Sequence, residues 1–139
     1  MPHRQSRSAT RALCGRFHRA SELIGRRWTG AIIFVLLGST CRFAALRDAI
    51  PDITDRMLSE RLHELEQEGL VERTVVPDTP VRVEYALSKK GRALRPAIDA
   101  IADWSHTWVK ASAGGTKSAR KVSSQYVVSG FSRTRRRSA

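Results

Sequence analysis

The sequence predicts a mainly α-helical domain with a small β-hairpin, an α+β fold whose terminal helices keep apolar surface for a dimer interface. Three observations predict it. Apolar residues recur at helical spacing through most of residues 12–111. The period changes from 3.6 to 2 over residues 70–87. The last helix carries more apolar surface than a chain of 139 residues with a single hairpin offers to cover.

Leu13, Phe17, Ala20 and Ile24 are spaced 4, 3, 4, which is one face of a helix ended by Gly25. Residues 28–37 are almost wholly apolar and predict a short helix buried on most sides, closed by Gly38-Ser39-Thr40. Phe43, Leu46 and Ile50 mark a short amphipathic helix stopped by Pro51. Thr54 suits an N-cap, with Asp55 well placed in the first turn. Met57, Leu58, Leu62 and Leu65 form the apolar face of that helix, which Gly69 ends. Val81, Val83, Tyr85 and Leu87 alternate with Arg82, Glu84 and Ala86 as a half-buried strand. Residues 70–76 are its partner, and Pro77-Asp78-Thr79-Pro80 is the turn. Two strands alone are marginal, so the hairpin must pack on helices. Ser88 caps a last helix running to about Val109, with a bend expected at Pro96. A short helix, a break and a longer helix form a helix-turn-helix pair, and the hairpin after it is a wing.

The net charge of +12 is unevenly placed. Residues 1–11 hold three arginines and no acid, residues 112–139 hold seven Lys and Arg and no acid, and residues 12–111 keep only +2. Both ends read as basic, disordered arms around one domain over residues 12–111. Such ends attract polyanions without reading sequence. The longest apolar run, residues 31–37, covers seven residues, far from the roughly 20 of a membrane-spanning helix. With no apolar stretch after the charged N-terminus either, no membrane association is expected. Two cysteines and four scattered histidines lack zinc-ligand spacing, so neither metal nor cofactor is expected. No nucleophile elbow or phosphate-binding glycine loop is present, and the carboxylates lie on helix surfaces, which argues against an enzyme.

Several segments resemble HxlR-type transcriptional regulators. Gly25-Arg26-Arg27-Trp28-Thr29 is similar to that family's Gly-Lys-Trp-Thr element, and Arg42-Phe43-Ala44-Ala45-Leu46-Arg47 to its Arg-Phe-x-x-Leu. Ile53 to Leu58, Leu62 to Arg73, Pro80 to Ser88, Gly91-Arg92-Ala93-Leu94 and Trp104 follow in order, so the resemblance spans about residues 14–108. Cys14 is followed by Gly15 where the family often has Pro, and Lys89-Lys90 follow Ser88 where an acid is common. The resemblance implies a dimeric winged helix-turn-helix protein of the bacterial cytoplasm and nucleoid that binds double-stranded DNA. It also implies, as in several family members, that a cysteine near the position of Cys14 senses oxidants or electrophiles; the sequence names no effector.

On that reading the helix from Thr54 enters the major groove. Its polar face offers Thr54, Asp55, Arg56, Ser59, Glu60 and His63 to base edges. Arg56 suits guanine, Ser59 either bases or phosphates, and Asp55 and Glu60 cytosine N4. The plain alternative is a solvated polar face. Thr29, Arg42, Arg82, Lys89 and Lys90 are candidate phosphate contacts. Arg26 and Arg27 can simply snorkel, and Arg47 can pair with Asp48 or another acid. Leu13, Phe17 and Ile24 are expected to pack against Ile101, Trp104 and Trp108 of a second copy; the alternative is that the tryptophans fill the monomer's own core. Arg11, Arg16 and His18 near Cys14 would favour its thiolate, whereas Cys41 reads as structural. The expected function is a regulator whose homodimer occupies a palindromic operator and blocks or recruits polymerase. The competing readings are a nonspecific, architectural nucleic-acid-binding protein driven by the tails, and a winged-helix module for protein contacts. Deleting residues 112–139 should weaken binding to all DNA sequences alike and flatten its salt dependence; a change in the preferred operator would give the tail a reading role.

Overall fold

The computed structural model describes residues 10–111; the expectations for residues 1–9 and 112–139 lie outside them. The order is α1 (Gly15–Gly25), α2 (Thr29–Gly38), β1 (Cys41–Arg42), α3 (Phe43–Ala49), α4 (Asp55–Gln67), β2 (Val71–Val76), β3 (Arg82–Leu87), α5 (Lys89–Arg92) and α6 (Arg95–Trp108). Ile32, Ile33 and Leu36 of α2, Leu46 of α3 and Leu58, Leu62 and Leu65 of α4 are buried together. Each such side chain withdrawn from water contributes about 2 kcal/mol. Val71 and Leu87 anchor the hairpin on this core, and α6 adds Ile98.

Pro51 stops α3, and Asp52 turns the chain with a left-handed backbone (φ 64°) that a short Asp side chain tolerates. Thr54 then caps α4, its Oγ1 accepting from the Met57 N–H at 3.2 Å. At the other end Gly69 (φ 71°) makes a Schellman close, with Leu70 N–H donating to the Leu65 carbonyl (2.9 Å) and Gly69 N–H to that of Glu66 (3.0 Å). Ser88 knits this end to the sheet. Its hydroxyl donates to the Gly69 carbonyl at 2.6 Å and accepts from the Gly91 N–H at 3.1 Å.

The structure corrects several expectations. The sheet has three strands in the order β1-β3-β2, not two, because Cys41 and Arg42 pair antiparallel with Tyr85 and Glu84. Two residues have no readable period; they become a strand only because β3 offers an open edge. As a central strand, β3 lacks the clean alternation expected of it, and Arg82 and Glu84 are half-buried like Val83 and Tyr85. Val81 lies outside the strand and is exposed. Pro96 does not bend a long helix. It sits in the first turn of α6, where a proline's missing N–H has no helical partner to lose, and α5 is a separate turn. Leu13 precedes α1 instead of belonging to it. Trp28 caps α2 from a left-handed backbone (φ 75°) and is not its first residue. Helix α2 is covered on most sides as expected, but Ala31 and Phe34 leave one stripe of it in solvent.

Gly91 passes so close to the Leu70 backbone that a Cβ would collide with that carbonyl oxygen and crowd the Leu87 side chain. Gly91→Ala should lower unfolding free energy by about 2–3 kcal/mol in urea titrations. An unchanged midpoint would mean that α5 shifts freely against the sheet.

Candidate nucleic-acid interface

The buried stripe of α4 leaves its opposite face in solvent. Thr54, Asp55, Arg56, Ser59, Glu60 and His63 are all exposed there. They are not equally free. The Thr54 hydroxyl is spent on the cap. Asp55 is held by Arg47 of α3, whose Nη1 lies 3.2 and 3.4 Å from its two carboxylate oxygens, while Arg47 Nε lies 3.6 Å from Asp48. The Asp55 hydrogen bond raises the Arg47 pKa further. Arg56 pairs with Glu60 at 3.0 Å, yet its side chain is 88% exposed, so the pair is weak and open to exchange.

Arg42, at the start of α3, and Arg82, on β3, line one shallow depression with Asp78 and Pro80 at the wing. Arg82 is engaged by Asp78 (3.1 Å) and Glu84 (3.2 Å), so it meets a phosphate only by leaving carboxylates. Glu84 is thus an ion-pair neighbour of Arg82 on its own strand, although the buried Arg82 Nε makes no hydrogen bond. Two phosphate candidates are corrected, Thr29 and Lys90. Thr29 is 1% exposed and its N–H donates to the Arg26 carbonyl, so it has no group to offer. Lys90 donates from Nζ to the Glu68 carbonyl (2.6 Å) at the C-terminal end of α4, and Lys89 is beside it. Thirteen residues of helix put that end about 20 Å from Thr54.

Cys14 is exposed at the N-cap of α1 and shares a small pocket with Arg11, Ala12, Leu13 and Phe17. Its pKa is lowered, first by the Phe17 N–H and then by the Arg16 N–H, backbone donors of the first helical turn that favour the thiolate. The cause is therefore the start of the helix rather than the neighbouring charges expected; His18 instead pairs with Glu22 at 3.3 Å. Cys41 is half-buried and donates from Sγ to the Ser39 carbonyl at 3.4 Å.

The tryptophans do not fill the monomer's core. Trp104 is 58% and Trp108 71% exposed, and Leu13, Phe17 and Ile101 are exposed with them. Ile24 of α1, Phe34 of α2 and Ile101 of α6 line a common apolar groove. Phe34 was missed as a surface residue, because a helix apolar on every side shows no face in its sequence.

A family model described as HxlR-like helix-turn-helix matches residues 23–113. The chain belongs to the HxlR family. It is a DNA-binding transcriptional regulator with a winged helix-turn-helix fold, like its relatives. It is 45% identical to the HTH-type transcriptional regulator YvaP of Bacillus subtilis over 97 residues, which is 70% of this chain and 90% of YvaP. It is likewise 45% identical to YodB of the same organism over 92 residues, 66% of this chain and 82% of YodB. The reduced form of YodB superposes with a TM-score of 0.64 at 41% identity, covering 71% of this chain and 97% of that one. The oxidized form of the redox regulator HypR superposes with a TM-score of 0.66 at 32% identity, covering 69% and 99%. Among the described residues no helix is long and apolar enough to cross a membrane.

Sequence reasoning also missed the groups that hold α4 in place. Arg61, with 14% of its side chain exposed, donates from Nε to the Arg27 carbonyl (3.0 Å) and from Nη1 to Glu64 (2.7 Å). Arg26 meets the other Glu64 oxygen at 2.9 Å. The Arg27 guanidinium stacks over the Trp28 ring, 4.6 Å from its centroid. The i,i+3 spacing of Arg61 and Glu64 was the available signal. Burial raises the Glu64 pKa, but the hydrogen bonds and charges of Arg26 and Arg61 outweigh it and bring it below the usual carboxylate value. A carboxylate lowered in the folded state stabilises above its unfolded pKa, about 4.3, and loses that contribution as pH falls through the folded value. The urea midpoint should thus fall more steeply on acidification below about pH 4.3 in the wild type than in Glu64→Gln; parallel declines would mean no contribution.

Proposed function

We propose that the protein acts in the cytoplasm, at the nucleoid, as a homodimer on a palindromic operator, and that Cys14 makes its binding responsive to oxidants or electrophiles. The observation that carries the dimer is the exposed apolar surface of α1 and α6, with Phe17, Ile101, Trp104 and Trp108 in solvent. A second copy covering it would set two α4 helices about 34–36 Å apart, one turn of DNA. Arg56 and Ser59 read bases, with Glu60 and His63 beside them, and Arg42 and Arg82 bind phosphates at the wing. Asp55, held by Arg47, serves the helix pair more than the bases. Cys14 combines exposure with a favoured thiolate, the form that attacks electrophiles and is oxidised. Relatives have been seen as reduced, diamide-treated and quinone-bound YodB and as oxidized HypR.

Selection of bound sites from random DNA at physiological salt, with and without a diamide-type oxidant, tests this. A palindrome should emerge, weaken with oxidant, and persist under oxidant in Cys14→Ser. Arg56→Ala should cost about 1–3 kcal/mol and relax one position of the half-site. No motif under either condition would hand the function to nonspecific binding by the basic tails.

A further inference from the structure

Met57, Arg61 and Glu64 of α4 and its C-cap Glu68 are spaced 4, 3, 4 and form a stripe beside the buried leucines. Met57 packs on the core. The other three reach the corner between α1 and α2, or α1 itself: Arg61 to the Arg27 carbonyl, Glu64 to Arg26 at 2.9 Å, and Glu68 to Arg19 at 3.5 Å. None of the base-facing residues takes part in these bonds, for Arg56, Ser59, Glu60 and His63 lie on another face. From this juxtaposition we infer that Arg61, Glu64 and Arg26 are positioning residues for DNA recognition: they lock α4 to the helices of the dimer seam and thereby set the half-site spacing the protein accepts.

The argument is one of directionality. Leu58, Leu62 and Leu65 hold α4 against the core, but hydrophobic burial has no preferred direction and tolerates small rotations and slides. Hydrogen bonds to a carbonyl and a carboxylate lose strength steeply with misalignment, the more so when charged and partly desolvated. Arg61 supplies both bonds, and only 14% of its side chain is exposed. Trp28 seats this corner on the core, but α1 beyond it has little other hold on the domain, since none of its residues is buried and only Leu23 and Ile24 pack partly on the core. With α1 in the seam, any freedom between α4 and this corner appears doubled in the separation of the two reading helices. The inference rests on the dimeric reading above.

The test uses the full chain and duplexes carrying one half-site, or two half-sites at the selected spacing and at one base pair more or less. One base pair moves the second half-site about 3.4 Å along the axis and about 35° around it. The wild type should prefer one spacing. Arg61→Met keeps the aliphatic bulk and removes the donors; Arg26→Met makes the cut outside α4, at a side chain exposed enough not to endanger folding. Both should remain dimers by sedimentation and hold a single half-site within about twofold of wild type, while the spacing preference falls about threefold or more. Variants that keep the full preference overturn this inference and leave the dimeric reading standing. Variants that lose half-site affinity and spacing preference in equal measure overturn it too, because the residues would then shape the reading helix locally. A wild type indifferent to spacing overturns the dimeric reading and this inference together.

Discussion

The burial of one side of α4 is the constraint from which the rest follows. Leu58, Leu62 and Leu65 leave water against Ile32, Ile33 and Leu46, and this consumes nearly all the apolar surface α4 has. The opposite face must then be solvated and polar. Its first turn, capped by Thr54, projects where the α3–α4 turn and the wing leave it uncovered. The hairpin gains its own hold through Val71 and Leu87, so the wing is positioned by the same core that presents the exposed face of α4.

The opposite imbalance governs α1 and α6. No residue of α1 is buried, and α6 buries only Ile98, although both helices carry large apolar side chains. A domain of this size has one small core, already filled by α2, α3 and α4. The surplus therefore faces outward as an exposed apolar surface, and Cys14 lies at its edge beside Leu13 and Phe17.

Charge is organised in a similar way. Around α4 most carboxylates are answered by arginines: Asp55 by Arg47, Glu60 by Arg56, Glu64 by Arg26 and Arg61, Glu68 by Arg19. The exposed pairs add little stability. On the proposed DNA-binding role of α4, their value is to neutralise acids on a helix that has to approach a polyanion, and in the case of Arg61 to fix direction.

Much of this was legible in the sequence. The capping Thr54, the leucine period, the stop at Pro51 and the switch to period 2 after Gly69 are local signals, and they carry the element order and the face of α4 that meets solvent. Local signals fail where an assignment depends on a distant neighbour. Cys41 and Arg42 form a strand because β3 is at hand, and Pro96 starts a helix because α5 ends at Arg92. Thr29 is sealed in by packing, Lys90 is taken by the carbonyl of Glu68, and Arg61 acts on a carbonyl 34 positions earlier. Composition and period determine which residues seek water and which avoid it. Only the tertiary structure decides which polar group is already satisfied and which remains free to bind, because hydrogen-bond partners are set by proximity in space and not along the chain.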